Sequence, residues 1–380
     1  MRRRKTRLAR WIHVQAAVVP PLSCLMVIVL IYRWFPGLPG TFASRINLDN
    51  LTQVMVPGSA DNVFAKARPG TFTPKASCDR PFQACTIFTV SRGDRVFFGG
   101  NGDWINFDSN YYWVDPSHDR RYGAIYFGVP ENIQQGFNEK GLAYDANGLP
   151  QAPVTSHAGR WPLPGGHSSC VIQILRECAT VEEVIAWIRE HRWHESMHYQ
   201  MHFADATGDA VVISAGPDGQ VAFTRKPDGD GFLVSTNFNL ANPVNGSYPC
   251  WRYDRARGLL EAIESKNELT AERAASVLDA VHVASPGGFT ILSLVGDLPQ
   301  GLVYVYLFHQ FDAPIVLNVA EEIARAPDPG PLRDLFPAET VRRVDRAYNR
   351  LVNRAARCDA VGFTWLGLVG LSLGALLLVK

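Results

Sequence analysis

The chain has 380 residues, 47% of them hydrophobic, with a formal net charge of +1. That length suits one large domain or two modest ones. The near-zero charge balance argues against a nucleic-acid partner, which requires a basic face.

The charges are unevenly placed. Arg2, Arg3, Arg4, Lys5, Arg7 and Arg10 crowd the N-terminus. An apolar stretch from about Ala16 to Tyr32 follows. It is longer than a signal-peptide core of about 7–15 residues and slightly short of the roughly 20 that span a bilayer. It reads as a signal anchor, with a cleaved signal peptide as the alternative. The basic residues before it place the N-terminus in the cytoplasm and the body outside. Residues 36–84 are rich in Pro, Gly and polar residues and read as a linker or pro-segment.

From Cys85 to about His157 the pattern is β-rich. Two apolar runs flanking Ser91–Arg95 predict a hairpin, and the second run ends in a Gly/Asn/Asp cluster. Helices are predicted over Ser169–Cys178 and Val181–His191, with Thr180 as the N-cap of the second. Strands follow at Met201–Ala204, Ala210–Ser214, Gln220–Thr224 and Phe232–Ser235, parted by Gly/Asp/Pro turns. Two more helices, Tyr253–Ser265 and Thr270–Val281, precede a β pair at Phe289–Val295 and Leu302–Leu307. Strand-rich blocks around helical blocks indicate an α+β fold.

Near the C-terminus, Val341, Val344, Ala347, Leu351 and Ala355 are spaced for one helix face, among Arg342, Arg343, Arg346, Arg350, Arg354 and Arg357. These arginines would lie outside, against the positive-inside rule. An amphipathic helix lying on the membrane surface reconciles the two patterns. Ala360 to Val379 carries no charge and has the length of a second membrane span. The expected division is therefore a basic tail and anchor (1–35), a linker or pro-segment (36–84), a soluble domain (85–330), a basic juxtamembrane segment (331–358) and a C-terminal transmembrane helix (359–380). Of the seven cysteines, Cys170 and Cys178 fall about two turns apart on one predicted helix. That exceeds the roughly 7 Å Cα limit for a disulfide, so they should not bond each other.

Cys85 opens the predicted hairpin. A cut between Ala84 and Cys85 would place a terminal amine beside the thiol. Such an amine has a pKa of roughly 8, near working pH, and can serve as the thiol's base. Cys78 is a rival nucleophile, but it precedes Asp79-Arg80-Pro81 rather than a strand. A second motif, His194-Glu195-Ser-Met-His198, fits the zinc-protease pattern and would need a helix to set both histidines on one face.

The residues Cys85-Thr, Gly-Asn-Gly-Asp103-Trp104, Asn138-Glu-Lys-Gly-Leu142, Phe203-Ala-Asp-Ala-Thr-Gly208, Ser235-Thr-Asn237 and Trp251-Arg252-Tyr253-Asp-Arg255 occur in this order. Together they make the chain, from Cys85 to about Leu317, resemble the choloylglycine hydrolase and penicillin V acylase group of N-terminal-nucleophile amidases. The resemblance implies a four-layer αββα sandwich. It implies Cys85 as nucleophile, Asp103 as partner of its amine and thiol, Asn147 and Asn237 as oxyanion donors, and Arg252 as the active-site arginine. Where the family carries arginine within Gly-Arg-Asn-x-Asp, this chain has Gly100. Either Arg252 supplies that charge or the thiol is tuned differently.

The expected function is a membrane-tethered amidase, its catalytic domain on the exocytoplasmic side. It would cleave a linear amide of a small-molecule or lipid-like N-acyl substrate through an acyl-enzyme, using no metal or organic cofactor. An acyltransferase of the same fold, a zinc hydrolase and a non-catalytic membrane binding protein are the competing readings. The sequence does not set the oligomeric state.

Overall fold

The computed structural model describes residues 85–353, apart from 105–109, 120, 130–131, 156–160, 166, 194–195, 245–247 and 286–287. Both expected membrane spans, the linker, Cys78, His194 and Glu195 lie outside the described residues. No helix among the described residues is long and apolar enough to cross a membrane.

In chain order the strands are β1 (Thr86–Arg92), β2 (Arg95–Trp104), β3 (Tyr111–Asp115), β4 (Ala124–Val129), β5 (Asn132–Asn138), β6 (Ala143–Pro153), β7 (Trp161–Pro162), β8 (His191–Arg192) and β9 (Ser196–Ala204). They continue with β10 (Ala210–Ala215), β11 (Val221–Arg225), β12 (Gly231–Ser235), β13 (Ala284–Ser285), β14 (Gly288–Asp297), β15 (Leu302–Leu307), β16 (Ile315–Asn318) and β17 (Gly330–Pro331). The helices are α1 (His167–Glu177), α2 (Val181–Glu190), α3 (Trp251–Glu261), α4 (Ala271–Ala280) and α5 (Val319–Arg325). A further helical run covers residues 338–353.

One sheet has the order β12-β1-β2-β14-β15-β16, with β13 added beside β14; the other runs β11-β10-β9-β6-β5-β4-β3-β17. Strand alternation sorts the side chains into layers. On β1 and β2, Ile87, Val96 and Phe98 point between the sheets, while Phe88, Val90 and Phe97 point outward onto α3 and α4. The second sheet turns Tyr126, Tyr144, Met201 and Phe203 outward onto α1 and α2. Three apolar interfaces thus separate four layers, and the expected αββα sandwich is the architecture observed.

The local signals held. Thr180 caps α2 in a reciprocal capping box with Glu183. The hairpin turns at Gly93, whose φ of 58° lies in the left-handed region that glycine enters without strain. Two of the diagnostic motifs are structural. The Asn138 side chain accepts from the N–H groups of Lys140 and Leu142 and donates to the carbonyls of Leu175 and Cys178, tying the β5–β6 turn to the end of α1. Asp205 accepts from Val181 N at the start of α2 and from Thr207 N in its own turn.

Three expectations change. First, β9 begins at Ser196 rather than Met201, because its first residues pair with the far end of β6. His198 therefore sits on a strand. The zinc-protease pattern sets its second histidine on a helix, and His198 is not on one. Second, α3 begins at Trp251 rather than Tyr253, which takes Arg252 into its first turn. Third, the apolar face of the 338–353 helix is not available to a membrane. Val344 is fully buried, and Val341, Ala347 and Leu351 pack with it against the inter-sheet core. Tyr348 meets Phe289 and Phe308 edge-on. Arg343 forms a two-pronged pair with Asp312, and Arg333 Nη2 donates to both carboxylate oxygens of Asp345.

Candidate active site

Cys85 sits at the head of β1, half-buried, at the mouth of a cavity of about 260 Å³. Asp103, Asp145, Gly148, His167, His198 and Tyr199 are among the residues that line it. The hairpin explains why Cys85 and Asp103 meet. Thr86 pairs with Asn101 in register, so the head of β1 and the end of β2 lie side by side. The Asp103 backbone lies close enough to the Cys85 thiol to favour its ionised form.

Burial, together with the nearby Asp103 and Asp145 carboxyls, pushes the thiol up to about 12. The Asp103 backbone and Arg252 act in the opposite direction but are outweighed. With Cys85 inside the chain the thiol therefore stays protonated and is a weak nucleophile.

The Asp103 side chain is buried and accepts from the Thr290 hydroxyl on β14. Burial raises it to about 8, against the opposing effects of Thr290 and Arg252. Its second oxygen, Oδ2, is buried without a partner. An unpaired buried acceptor costs on the order of 1–3 kcal/mol, more when charged, so its retention calls for an explanation. A terminal ammonium at the head of β1 would be a fitting donor.

Arg252 ties the site together. Its Nη1 donates to the Cys85 carbonyl (2.6 Å) and to Thr86 Oγ1 (3.1 Å), and its Nη2 donates to Asn237 Oδ1 (3.1 Å). Asn237 Nδ2 in turn donates to the Gly148 carbonyl at 3.0 Å. Asn147 is fully buried beside the lining residues Ala146 and Gly148. Its Oδ1 accepts from Gln200 Nε2 at 3.3 Å, while its Nδ2 has no partner. Gln200 also donates to the carbonyls of Thr236 and Phe238, bridging Asn147 to the strand end that carries Asn237. The five residues singled out in the sequence, spread over 168 positions from Cys85 to Arg252, thus converge on one end of the sandwich.

Several neighbours were not read from the sequence. Thr290 and Gln200 look like ordinary strand residues until β14 and β9 are paired. Asp145 had one available signal: it lies two residues before Asn147, so on a strand it shares the same face. His167 bonds Tyr144 through Nε2 at 2.5 Å, leaves a buried Nδ1 without a partner, and is lowered to about 4 by burial.

The model of the acyl-coenzyme A:6-aminopenicillanic acid acyl-transferase family matches residues 90–265. That span begins just after Cys85 and contains Asp103, Asn147, Asn237 and Arg252. An arginine-to-leucine variant of conjugated bile acid hydrolase from Clostridium perfringens overlays with a TM-score of 0.50 at 14% identity, over 65% of this chain and 96% of its own. The chain has the N-terminal-nucleophile hydrolase fold. Penicillin V acylase from Agrobacterium tumefaciens also matches, at 19% identity and a TM-score of 0.44, over 61% of this chain and 84% of its own. No curated protein sequence matches the chain. The family resemblance read from the ordered motifs is borne out. Within this N-terminal-nucleophile fold, Cys85 occupies the head of an inner strand and Asp103 the end of its hairpin partner.

Proposed function

We propose that the protein is a cysteine amidase that hydrolyses a linear amide after self-cleavage between Ala84 and Cys85. One observation carries the reading: a thiol at the head of β1 shares a cavity with a buried carboxyl whose second oxygen has no partner. Releasing the Cys85 amine would supply both the missing donor at Asp103 and the base that the thiol lacks. The nearby positive charge would also offset the burial that holds Asp103 at about 8.

The cycle then follows. The α-amine takes the thiol proton, and Cys85 Sγ attacks the amide carbon. Asn147 Nδ2, which has no other partner, and the second N–H of Asn237 stabilise the tetrahedral oxyanion. The C–N bond breaks as the ammonium returns its proton to the leaving amine. Water, deprotonated by the amine, attacks the thioester and releases the carboxylic acid and the thiol. Arg252 holds the Cys85 carbonyl and Asn237 in place throughout. The acyl-transferase description of the matched family favours a second reading, in which an amine acceptor replaces water at the thioester.

The membrane tether rests on the uncharged segment Ala360 to Val379. Cleavage before Cys85 would separate the first apolar segment from the catalytic body and leave this one as the anchor. The substrate would then be an N-acyl amide met at the membrane, outside the cytoplasm.

N-terminal sequencing of the active protein is the direct test. The expected sequence starts Cys-Thr-Ile-Phe, and turnover of N-acyl aminocoumarin probes disappears in Cys85→Ala. An active protein with an intact Ala84–Cys85 bond would refute the proposal. Adding hydroxylamine distinguishes the two fates of the thioester by product mass.

A further inference from the structure

On the inward face of the second sheet, Gln135, Asp145 and His202 are direct neighbours across β5, β6 and β9. Facing them on the first sheet is Gly100. A Cβ at position 100 would lie 2.2 Å from Asp145 Oδ2 and 2.9 Å from Gln135 Nε2. A side chain at 100 would therefore force the Asp145 carboxyl and the Gln135 amide from their places. Asp145 is 3% exposed. It is held from two sides: Gln135 Nε2 donates to Oδ2 at 2.7 Å and the Ala146 N–H donates to Oδ1 at 2.6 Å.

The titratable groups around it come from every neighbouring element. Cys85 on β1 and Asp103 on β2 share its cavity, as do His198 on β9 and His167 on α1. His202 on β9 is bonded on both ring nitrogens, to Thr89 and Ser235, and burial keeps it neutral. The Arg252 guanidinium on α3 is engaged with Cys85, Thr86 and Asn237. Neither bond described to the Asp145 carboxyl comes from a cation. Burial foremost, with the neighbouring Asp103 carboxyl, raises Asp145 well above the usual carboxylate range, outweighing the Gln135 and Ala146 hydrogen bonds, which act to lower it. Two carboxyls and a thiol in one cavity do not all ionise together.

We propose that Asp145 is a positioning residue of the Cys85 site, a neutral acid filling the space over Gly100 whose ionisation closes the site as pH rises. The proposal rests on the Cys85 reading given above. A charge at Asp145 disfavours the thiolate and the oxyanion alike, because both add a negative charge to the same buried volume. The neutral acid has neither effect. Gly100 follows as the residue that makes room for it.

The test compares the purified wild-type protein with Asp145→Asn, which keeps the shape and cannot ionise. Alkylation of Cys85 by iodoacetamide, followed by peptide mass across pH 6–11, reports the thiol without requiring turnover. The expected result is about tenfold faster alkylation of Asp145→Asn near pH 9, one unit of midpoint shift. The alkaline limb of probe turnover should move upward with it. Identical alkylation curves would overturn the proposal. A shifted curve in a protein that turns over no amide would support it and count against the amidase reading instead. If Asp145→Asn does not fold, Gly100→Ala and the pair Gly100→Ala/Asp145→Gly give the second arm. The single variant should lose Cys85 reactivity and the pair recover it; no recovery overturns the proposal.

Discussion

At one end of the inter-sheet layer, Phe98 meets Phe137 edge to face at 5.9 Å, and Phe127 meets Phe137 at 6.5 Å. Ile125 and Leu294 belong to the same apolar cluster. Elsewhere the two sheets bring together Cys85, Asp103, Asp145, Asn147 and Gln200. Among the described residues, this second region leaves buried polar atoms without partners, including Asp103 Oδ2, Asn147 Nδ2 and His167 Nδ1. The apolar end lowers the free energy of the fold. The polar end raises it, a cost that a preorganised site would carry. His202, bonded to Thr89 and Ser235, marks the border and stitches the two sheets together.

Variants can break this contrast in graded steps. Cys85→Ala should abolish turnover, a loss on the order of 10⁴-fold or more, and leave the chain uncut in N-terminal sequencing, with little change in thermal unfolding. Phe137→Ala attacks the other end. It should cost about 3–5 kcal/mol in urea titration. Asn147→Ala should lower kcat by about 10²–10³ with little change in KM, separating a transition-state donor from a binding contact.

The border residue predicts a pH effect. Burial lowers His202 from 6.5 to about 3. Below about pH 6.5 the unfolded chain binds a proton that the folded chain refuses until about pH 3. Stability should therefore fall with acidification across that window, by up to about 1.4 kcal/mol per pH unit. His202→Gln should flatten the fall in chemical denaturation. Asp103, raised to about 8, acts with the opposite sign, since the unfolded chain releases its proton near 3.8 and the folded chain holds it to about 8. In the uncut Cys85→Ala chain, where no terminal ammonium faces it, Asp103→Asn should remove a stability loss that grows as pH rises through that interval. The smallest effect belongs to a site remote from both ends: Thr180→Ala should cost about 1 kcal/mol through the lost cap of α2 and leave kcat unchanged.

Local chemistry was legible where it is set by near neighbours. The β1–β2 hairpin follows from alternation around a Gly turn, and Thr180 starts α2 because its hydroxyl meets the Glu183 N–H three residues on. Cys85 at a strand head, Asp103 at the end of the paired strand and Asn237 at the end of β12 could be placed for the same reason. Pairing between distant strands was not legible. The first half of β9, Ser-Met-His-Tyr-Gln, resembles neither a regular strand nor a helix, and it is extended because β6 lies beside it. The apolar stripe of the 338–353 helix announces a buried face. Periodicity does not state whether lipid or protein covers it, and here the sandwich does.

Order along the chain therefore determined the elements and the choice of Cys85, with its asparagines and arginine, as the candidate site, because each rests on residue type and short spacing. Only tertiary structure decided that Asp145 would stand over Gly100, that Thr290 would hold Asp103 and that Gln200 would join Asn147 to the β12 end. These depend on which sheet faces which. A strand's alternation says that a side chain turns inward, and the sandwich alone says what it meets there.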